Sequence, residues 1–158
     1  MEIKKYKIVD NLVKEKYCDY LFKLINKDDF PWHVSDINAN DSNRYFTHTL
    51  FKHYWSSQYL NEFFPLLDAI GIKALIRIKI NFYPKTNIIE KHAKHKDYDY
   101  THKAAIFSLN TCKGGTYVEE SFIESKKNRL LKFDGSLNHC STSTDNKNGR
   151  ININFNYF

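Results

Sequence analysis

The stretch Gly149-Arg150-Ile151-Asn152-Ile153-Asn154-Phe155 alternates polar and apolar residues with a period of two, the pattern of a half-buried β-strand. Outward from it, strand-like runs recur at 73–83, 103–110, 116–124 and 129–134, and the last run extends over 150–158. Turn signals such as Lys113-Gly114-Gly115 and Asp134-Gly135-Ser136 separate them, and no internal repeat is visible. Short strands with no helical pattern between them predict two antiparallel sheets packed as a jelly roll with an open end. Upstream the periodicity changes. Asp10 reads as an N-cap ahead of Leu12, Val13, Tyr17, Leu21, Leu24 and Ile25, apolar at helical spacing, which predicts an amphipathic helix over 11–26. A second helix is predicted from about Ser56 to Ala69, with Ser56 or Ser57 as cap, Gly71 just beyond the end and Pro65 placed to kink or split it. The predicted class is α+β, mainly β: a cupin-like jelly roll braced by two N-terminal helices.

Composition sets the bounds. A chain of 158 residues, 42% hydrophobic and 16% aromatic, can bury one substantial core, so a single domain over 1–158 is expected. Within it, 1–72 would supply helical support and a loop, and 73–158 the jelly-roll core. No apolar run follows Met1-Glu2-Ile3-Lys4-Lys5, and the most apolar stretch, Phe63 to Ile76, is interrupted by Pro65, Asp68, Gly71 and Lys73, so neither a signal peptide nor a membrane span is expected. Cys18, Cys112 and Cys140 are scattered and odd in number, which argues against a disulfide framework and fits a cytoplasmic location. The formal charge of +6 is spread along the chain instead of gathered in one block, so it does not by itself imply nucleic-acid binding.

Chemistry concentrates in His95-Lys96-Asp97, then His139, then Arg150. In a strand residues i and i+2 face the same way, so His95 and Asp97 can present an imidazole and a carboxylate to one point while Lys96 points away. His139, arriving on another strand, would add a third ligand and leave the opposite face of an octahedron open. Two histidines and one carboxylate in that arrangement favour ferrous iron with room for cosubstrate and dioxygen. The planar fork of Arg150 can grip a carboxylate through two parallel hydrogen bonds. His92 is followed at i+2 by Lys94, which cannot replace a carboxylate while charged, so His92 is read as a flanking residue and Asp99 as a rival acid at a different spacing. Glu119 and Asp134 are expected to stay outside the metal sphere, with Asp134 forming the turn before His139. Cys140 neighbours His139 in a strand and should face the other way. The polar segment 35–43 reads as a loop followed by Arg44 and Tyr45, either a solvated connection or a cover over the metal that carries substrate contacts.

The ordered set of Arg77-Ile78-Lys79-Ile80-Asn81-Phe82-Tyr83-Pro84, His95-Lys96-Asp97, Asn110 with Gly114-Gly115-Thr116, Phe133-Asp134-Gly135 leading to His139, and Arg150 resembles the 2-oxoglutarate- and Fe(II)-dependent dioxygenases. The likeness is to their compact prolyl 4-hydroxylase-like members, often found in phages, and spans roughly residues 74–158. It implies a double-stranded β-helix in which His95, Asp97 and His139 bind Fe(II). By the same resemblance 2-oxoglutarate chelates the metal through its keto oxygen and one carboxylate, and Arg150 holds the distal carboxylate. Asn81 and Tyr83 would offer hydrogen bonds to the cosubstrate; for Tyr83 the alternative is a buried aromatic satisfied locally. Asn152, where many relatives have Ser, is a further candidate contact. The implied reaction hydroxylates a peptidyl proline or another protein side chain, with ascorbate as reductant and no membrane partner. A nucleobase hydroxylase or demethylase, and a catalytically idle jelly-roll binding protein, are the alternatives.

Overall fold

The structure, a computed structural model, describes residues 5–37 and 44–158. The fold is mainly β with two short helices. In chain order the elements are β1 (Tyr6–Asp10), α1 (Glu15–Ile25), β2 (His33–Asp36), β3 (Arg44–Lys52), β4 (Trp55–Ser56), a 3-10 turn (Leu60–Phe63), α2 (Phe64–Ile70) and β5 (Leu75–Tyr83). Then follow β6 (Lys103–Ser108), β7 (Gly115–Val118), β8 (Ser121–Glu124), β9 (Arg129–Asp134), β10 (His139–Ser141) and β11 (Arg150–Tyr157). The large sheet runs β1-β9-β6-β11-β5-β3-β2 with β4 attached to β3, and the small sheet runs β10-β7-β8; all of these pairings are antiparallel.

Alternation in β5 and β11 gives the large sheet two unlike faces. Ile78, Ile80, Ile151, Ile153 and Phe155 point into the main core, where they meet Cys18, Leu21 and Ile25 of α1 and Leu66, Leu67 and Ile70 of α2. A smaller apolar cluster joins Ala104, Ile106, Leu131 and Phe133 of the large sheet to Val118 and Ile123 of the small one. Between the sheets, on the β5 and β11 side, the facing residues are polar.

The helices alternate with strands along the chain, yet both pack on the same face of the large sheet. Asp10 is no helix cap: it ends β1, pairs with Arg129 at 2.6 Å and lies 3.1 Å from Lys126. The approach to α1 is held by the buried Asn128, whose amide donates to Val13 O and accepts from Val13 N. A carboxylate with two cations across a strand pair has a better partner than a helix N-terminus. The second helix is shorter than the periodicity predicts, because the 3-10 turn occupies its first residues and Pro65 sits in the first turn of α2. Ser56 belongs to β4, and Ser57 receives the Tyr59 N–H beside the 3-10 turn. Gly71, at φ +83°, closes α2 with Gly71 and Ile72 N–H groups both donating to Leu67 O. Of the segment 35–43 read as a loop, Ser35 and Asp36 end β2, which pairs with β3 beginning at Arg44, and 38–43 lie outside the described residues. The run 116–124 is likewise two strands, β7 and β8, turning at Glu119. No helix among the described residues is long and apolar enough to cross a membrane.

Candidate metal centre

Antiparallel register brings the polar faces of β5 and β11 side by side: Arg150 lies opposite Tyr83, Asn152 opposite Asn81, Asn154 opposite Lys79 and Asn156 opposite Arg77. After β5 the chain turns at Pro84 and runs beside β10. There the His95 N–H donates to His139 O at 2.9 Å and the His139 N–H donates to His95 O at 3.0 Å. This reciprocal pair sets the two imidazoles side by side, with ring centroids 4.7 Å apart and planes tilted by 53°. His95 and Asp97 are not in a regular strand, yet the extended backbone keeps their side chains together. One ligand atom from each of His95, Asp97 and His139 lies within 4.8 Å of the others. His95 Nε2 is 3.7 Å from Asp97 Oδ1, and His139 Nε2 is 3.8 Å from Asp97 Oδ2.

The donor set suits a divalent metal. His139 Nδ1 lies 3.1 Å from Leu137 O and His95 Nδ1 3.3 Å from Ala93 O. A carbonyl accepts only, so each Nδ1 carries a proton and each Nε2 is the atom that faces Asp97. Burial pushes the His139 imidazole below its ordinary pKa, although Asp97 pulls the other way, which favours the neutral ligand form. Asp97 is itself buried, and burial opposes its ionisation. The Arg77 guanidinium at 2.9 Å, His139 and the Asn156 amide at 3.0 Å outweigh that and hold the carboxyl well below its usual range. Asn154 donates a further hydrogen bond at 3.2 Å. His95 is the exposed member of the group, with half its side chain open to solvent, and a cavity of about 70 Å³ adjoins all three.

Arg150 lies behind that cavity wall, bonded to Ser141 and Thr116, which line it. It is 1% exposed and donates to Ser141 Oγ, to Thr142 O at 3.3 Å and to Thr116 Oγ1 at 2.9 Å. Its Nε has no hydrogen-bond partner, and no carboxylate pairs with it among the described residues. A buried guanidinium without a counter-ion is costly unless an anion completes it. Its backbone is fixed on both sides by one side chain: the Asn110 amide donates to Gly149 O and accepts from Ile151 N, each at 2.9 Å. Gly149 is at φ +69°, and a Cβ there would strike the Phe82 ring and come within 2.7 Å of Tyr83 O, so glycine alone fits before the arginine. Gly114 passes equally close, where a Cβ would lie 3.1 Å from the Arg150 side chain.

Tyr83 is buried, carries the Arg150 guanidinium 5.2 Å from its ring centroid and stacks on Tyr45 at 5.1 Å. Burial raises its pKa, so the phenol stays a neutral donor. Asn81 and Asn152 are tied to each other: Asn81 Nδ2 donates to Asn152 Oδ1 at 2.9 Å, leaving Asn81 Oδ1 buried without a partner. His92 packs its ring 5.5 Å from Tyr83 and lines the cavity, outside the ligand group. Asp99 is not in that group either. Asp134 accepts from Ser136 N at 2.9 Å and makes the expected turn, while Glu119 accepts from Asn138 N. Arg44 is exposed and pairs with Asp36, whereas Tyr45 lines the cavity. Cys140 is a buried free thiol that touches the cavity and does not join the ligand group. Residues that sequence reasoning missed are Arg77, Asn154 and Asn156 around Asp97, and Thr116 and Ser141 around Arg150. Extending the i, i+2 series from Asn81 back to Arg77, and from Arg150 forward to Asn156, would have found the first three.

No protein-family model matches the chain, and no curated protein matches it. Solved structures do. A prolyl hydroxylase in complex with a hypoxia inducible factor oxygen degradation domain peptide fragment, from Trichoplax adhaerens, aligns with TM-score 0.71 at 14% identity over 99% of this chain and 84% of that one. A Pseudomonas putida prolyl-4-hydroxylase aligns with TM-score 0.68 at 12% identity over 97% and 92%. The viral collagen prolyl hydroxylase of Paramecium Bursaria Chlorella virus-1, as a 2OG complex, aligns with TM-score 0.61 at 14% identity over 98% and 96%. At such identities the likeness is one of fold: the chain has the jelly-roll fold of the prolyl hydroxylases and the 2OG-Fe(II) oxygenases.

Proposed function

We propose that the protein is an Fe(II)- and 2-oxoglutarate-dependent dioxygenase that hydroxylates a peptidyl proline or another protein side chain in the cytoplasm. One observation carries the reading: two imidazoles and an ionised carboxylate converge on one cavity, and directly behind its wall lies a buried arginine that lacks a counter-ion. His95, Asp97 and His139 would hold the metal, and Arg150, with Tyr83 beside it, the distal carboxylate of the cosubstrate. Metal and cosubstrate together supply the oxidation, in which one oxygen atom of O2 enters the substrate C–H bond and the other leaves in succinate as CO2 is released.

The chain's part is positioning and protonation. Arg77, Asn154 and Asn156 keep Asp97 ionised and oriented, so one of its oxygens is always available as a ligand. Leu137 O and Ala93 O fix the imidazole tautomers. The Asn110 bracket and the Gly149 turn hold the Arg150 fork in place before any ligand arrives, which lowers the ordering cost of binding a diacid. Tyr45, Tyr83 and Ile106 give the cavity apolar surface that limits water at the reacting bond. The peptide in the Trichoplax adhaerens complex supports a peptide substrate for a protein of this fold.

Purified protein supplied with Fe(II), ascorbate as reductant and 2-oxoglutarate should release succinate, slowly without its own substrate, and Asp97→Ala should release none. Wild-type protein that binds neither Mn(II) nor 2-oxoglutarate would sink the reading and leave a ligand-binding jelly roll.

A further inference from the structure

The cavity contains a second cation that this reading leaves without a task. Lys79 lies on the polar face of β5 between Arg77 and Asn81 and lines the cavity wall. Its Nζ donates to the Tyr45 hydroxyl at 3.3 Å and lies 5.6 Å from the centre of that ring. No carboxylate pairs with it among the described residues. Burial pushes its pKa down to about 8, the mark of an ammonium short of partners, yet it stays mostly protonated at neutral pH. Burial also pushes Tyr45 up to about 12, so the phenol supplies no counter-charge.

Charge accounting then points outward, and it rests on the dioxygenase reading. Arg77 cancels Asp97, and a divalent metal cancels a dianionic keto-acid. Lys79 in the cavity wall and Arg150 buried behind it remain as positive charge, where a low dielectric makes an uncompensated cation expensive. Lys79 is not a duplicate of Arg150. It stands opposite Asn154, at the Asp97 end, whereas Arg150 stands opposite Tyr83, four residues or roughly 13 Å further along β5. A keto-acid fixed at Arg150 turns its other carboxylate to the metal, which leaves the ammonium for an incoming group. We propose that Lys79, steadied by Tyr45, is the docking cation for a carboxylate on the substrate, so that the site selects acidic peptides over neutral ones.

The test uses full-length protein loaded with Mn(II) and 2-oxoglutarate. Two synthetic peptide pools serve as probes, identical except that Asp and Glu in one are Asn and Gln in the other, and bound peptides are read by mass spectrometry. Wild type should retain the acidic pool about tenfold over the amide pool, and Lys79→Arg should keep most of that preference. Lys79→Met and Lys79→Gln, each checked for an unchanged Tm, should reduce it to about twofold or less. Titration of 2-oxoglutarate into the Mn(II) forms should give the same Kd for wild type and both variants. Equal retention of the two pools by wild type, including no retention of either, overturns the proposal. So does a Lys79→Met variant that loses 2-oxoglutarate affinity while keeping the acidic preference, because the lysine would then belong to the cosubstrate. Wild type that takes up no 2-oxoglutarate is a different result and strikes the dioxygenase reading itself.

Discussion

The two faces of the β5–β11 ladder follow one alternation and put it to opposite uses. On the helix side, Ile78, Ile80, Ile153 and Phe155 are wholly buried against other apolar side chains, and nothing there lacks a partner. On the cavity side, Arg77, Lys79, Asn81, Arg150, Asn152, Asn154 and Asn156 stand in paired ranks, and several atoms, among them Arg150 Nε, Asn81 Oδ1 and Asn154 Oδ1, are buried with no hydrogen bond. Buried polar groups left unsatisfied cost about 1–3 kcal/mol each, so that face lowers stability where the other raises it. A sheet can carry such a face because its reverse is a complete core. The comparison separates stability from binding residue by residue, and substitutions on the two sides should fail differently.

The largest effect is expected from Phe155→Ala, which empties a fully buried ring position on the helix side. It should lower unfolding free energy by about 3–5 kcal/mol in urea titrations while the folded fraction keeps its Mn(II) affinity. Metal affinity lost in proportion to stability would break the division between the faces. Arg150→Met is the counterpart on the cavity side. It keeps volume and removes a buried charge, so 2-oxoglutarate binding by calorimetry should weaken by about 2–5 kcal/mol while Tm stays level or rises. A lower Tm with unchanged binding would make the arginine structural. Asn156→Ala, 59 residues from the proposed ligand Asp97 in sequence and 3.0 Å from it in space, should cost about 10–100-fold in Mn(II) affinity by removing a donor to that carboxylate. The smallest effect is at His48, a polar exception on the helix side whose ring bridges Pro31 O and Ser57 Oγ, each at 2.8 Å. Burial depresses its pKa below the ordinary 6.5, so the fold favours the neutral ring. The advantage of wild type over His48→Gln in Tm should be full above pH 6.5 and shrink as pH falls through that value toward the lower folded-state pKa. An advantage that grows on acidification would reverse the sign.

Much of the large sheet was legible because its strands read as period-two runs; β5, β6, β9 and β11 fall within one to two residues of the predicted limits. The strands that escaped have specific reasons. In β3 a bulge between Thr49 and Phe51 breaks the alternation, and His48 sits where the pattern calls for an apolar residue. The edge strand β1 is short and only partly buried, and the acid that ends it resembles a helix cap. At the site, His95 and Asp97 were legible because their relation is local, whereas His139 and Arg150 came from the order of motifs. What sequence could not supply was the pairing of β5 with β11. Register alone sets Asn156 opposite Arg77 and both beside Asp97, and a register is a long-range fact.

The reciprocal backbone pair between His95 and His139 has a further meaning. It makes the separation of the two imidazoles a property of the main chain, set like the jaws of a gauge before anything is measured. Under the proposed ligand set, an ion of the wrong radius would have to strain that backbone pair to be gripped well. If His95 and His139 hold the metal as proposed, selectivity among ions would then rest partly on peptide hydrogen bonds and not on the ligand side chains alone.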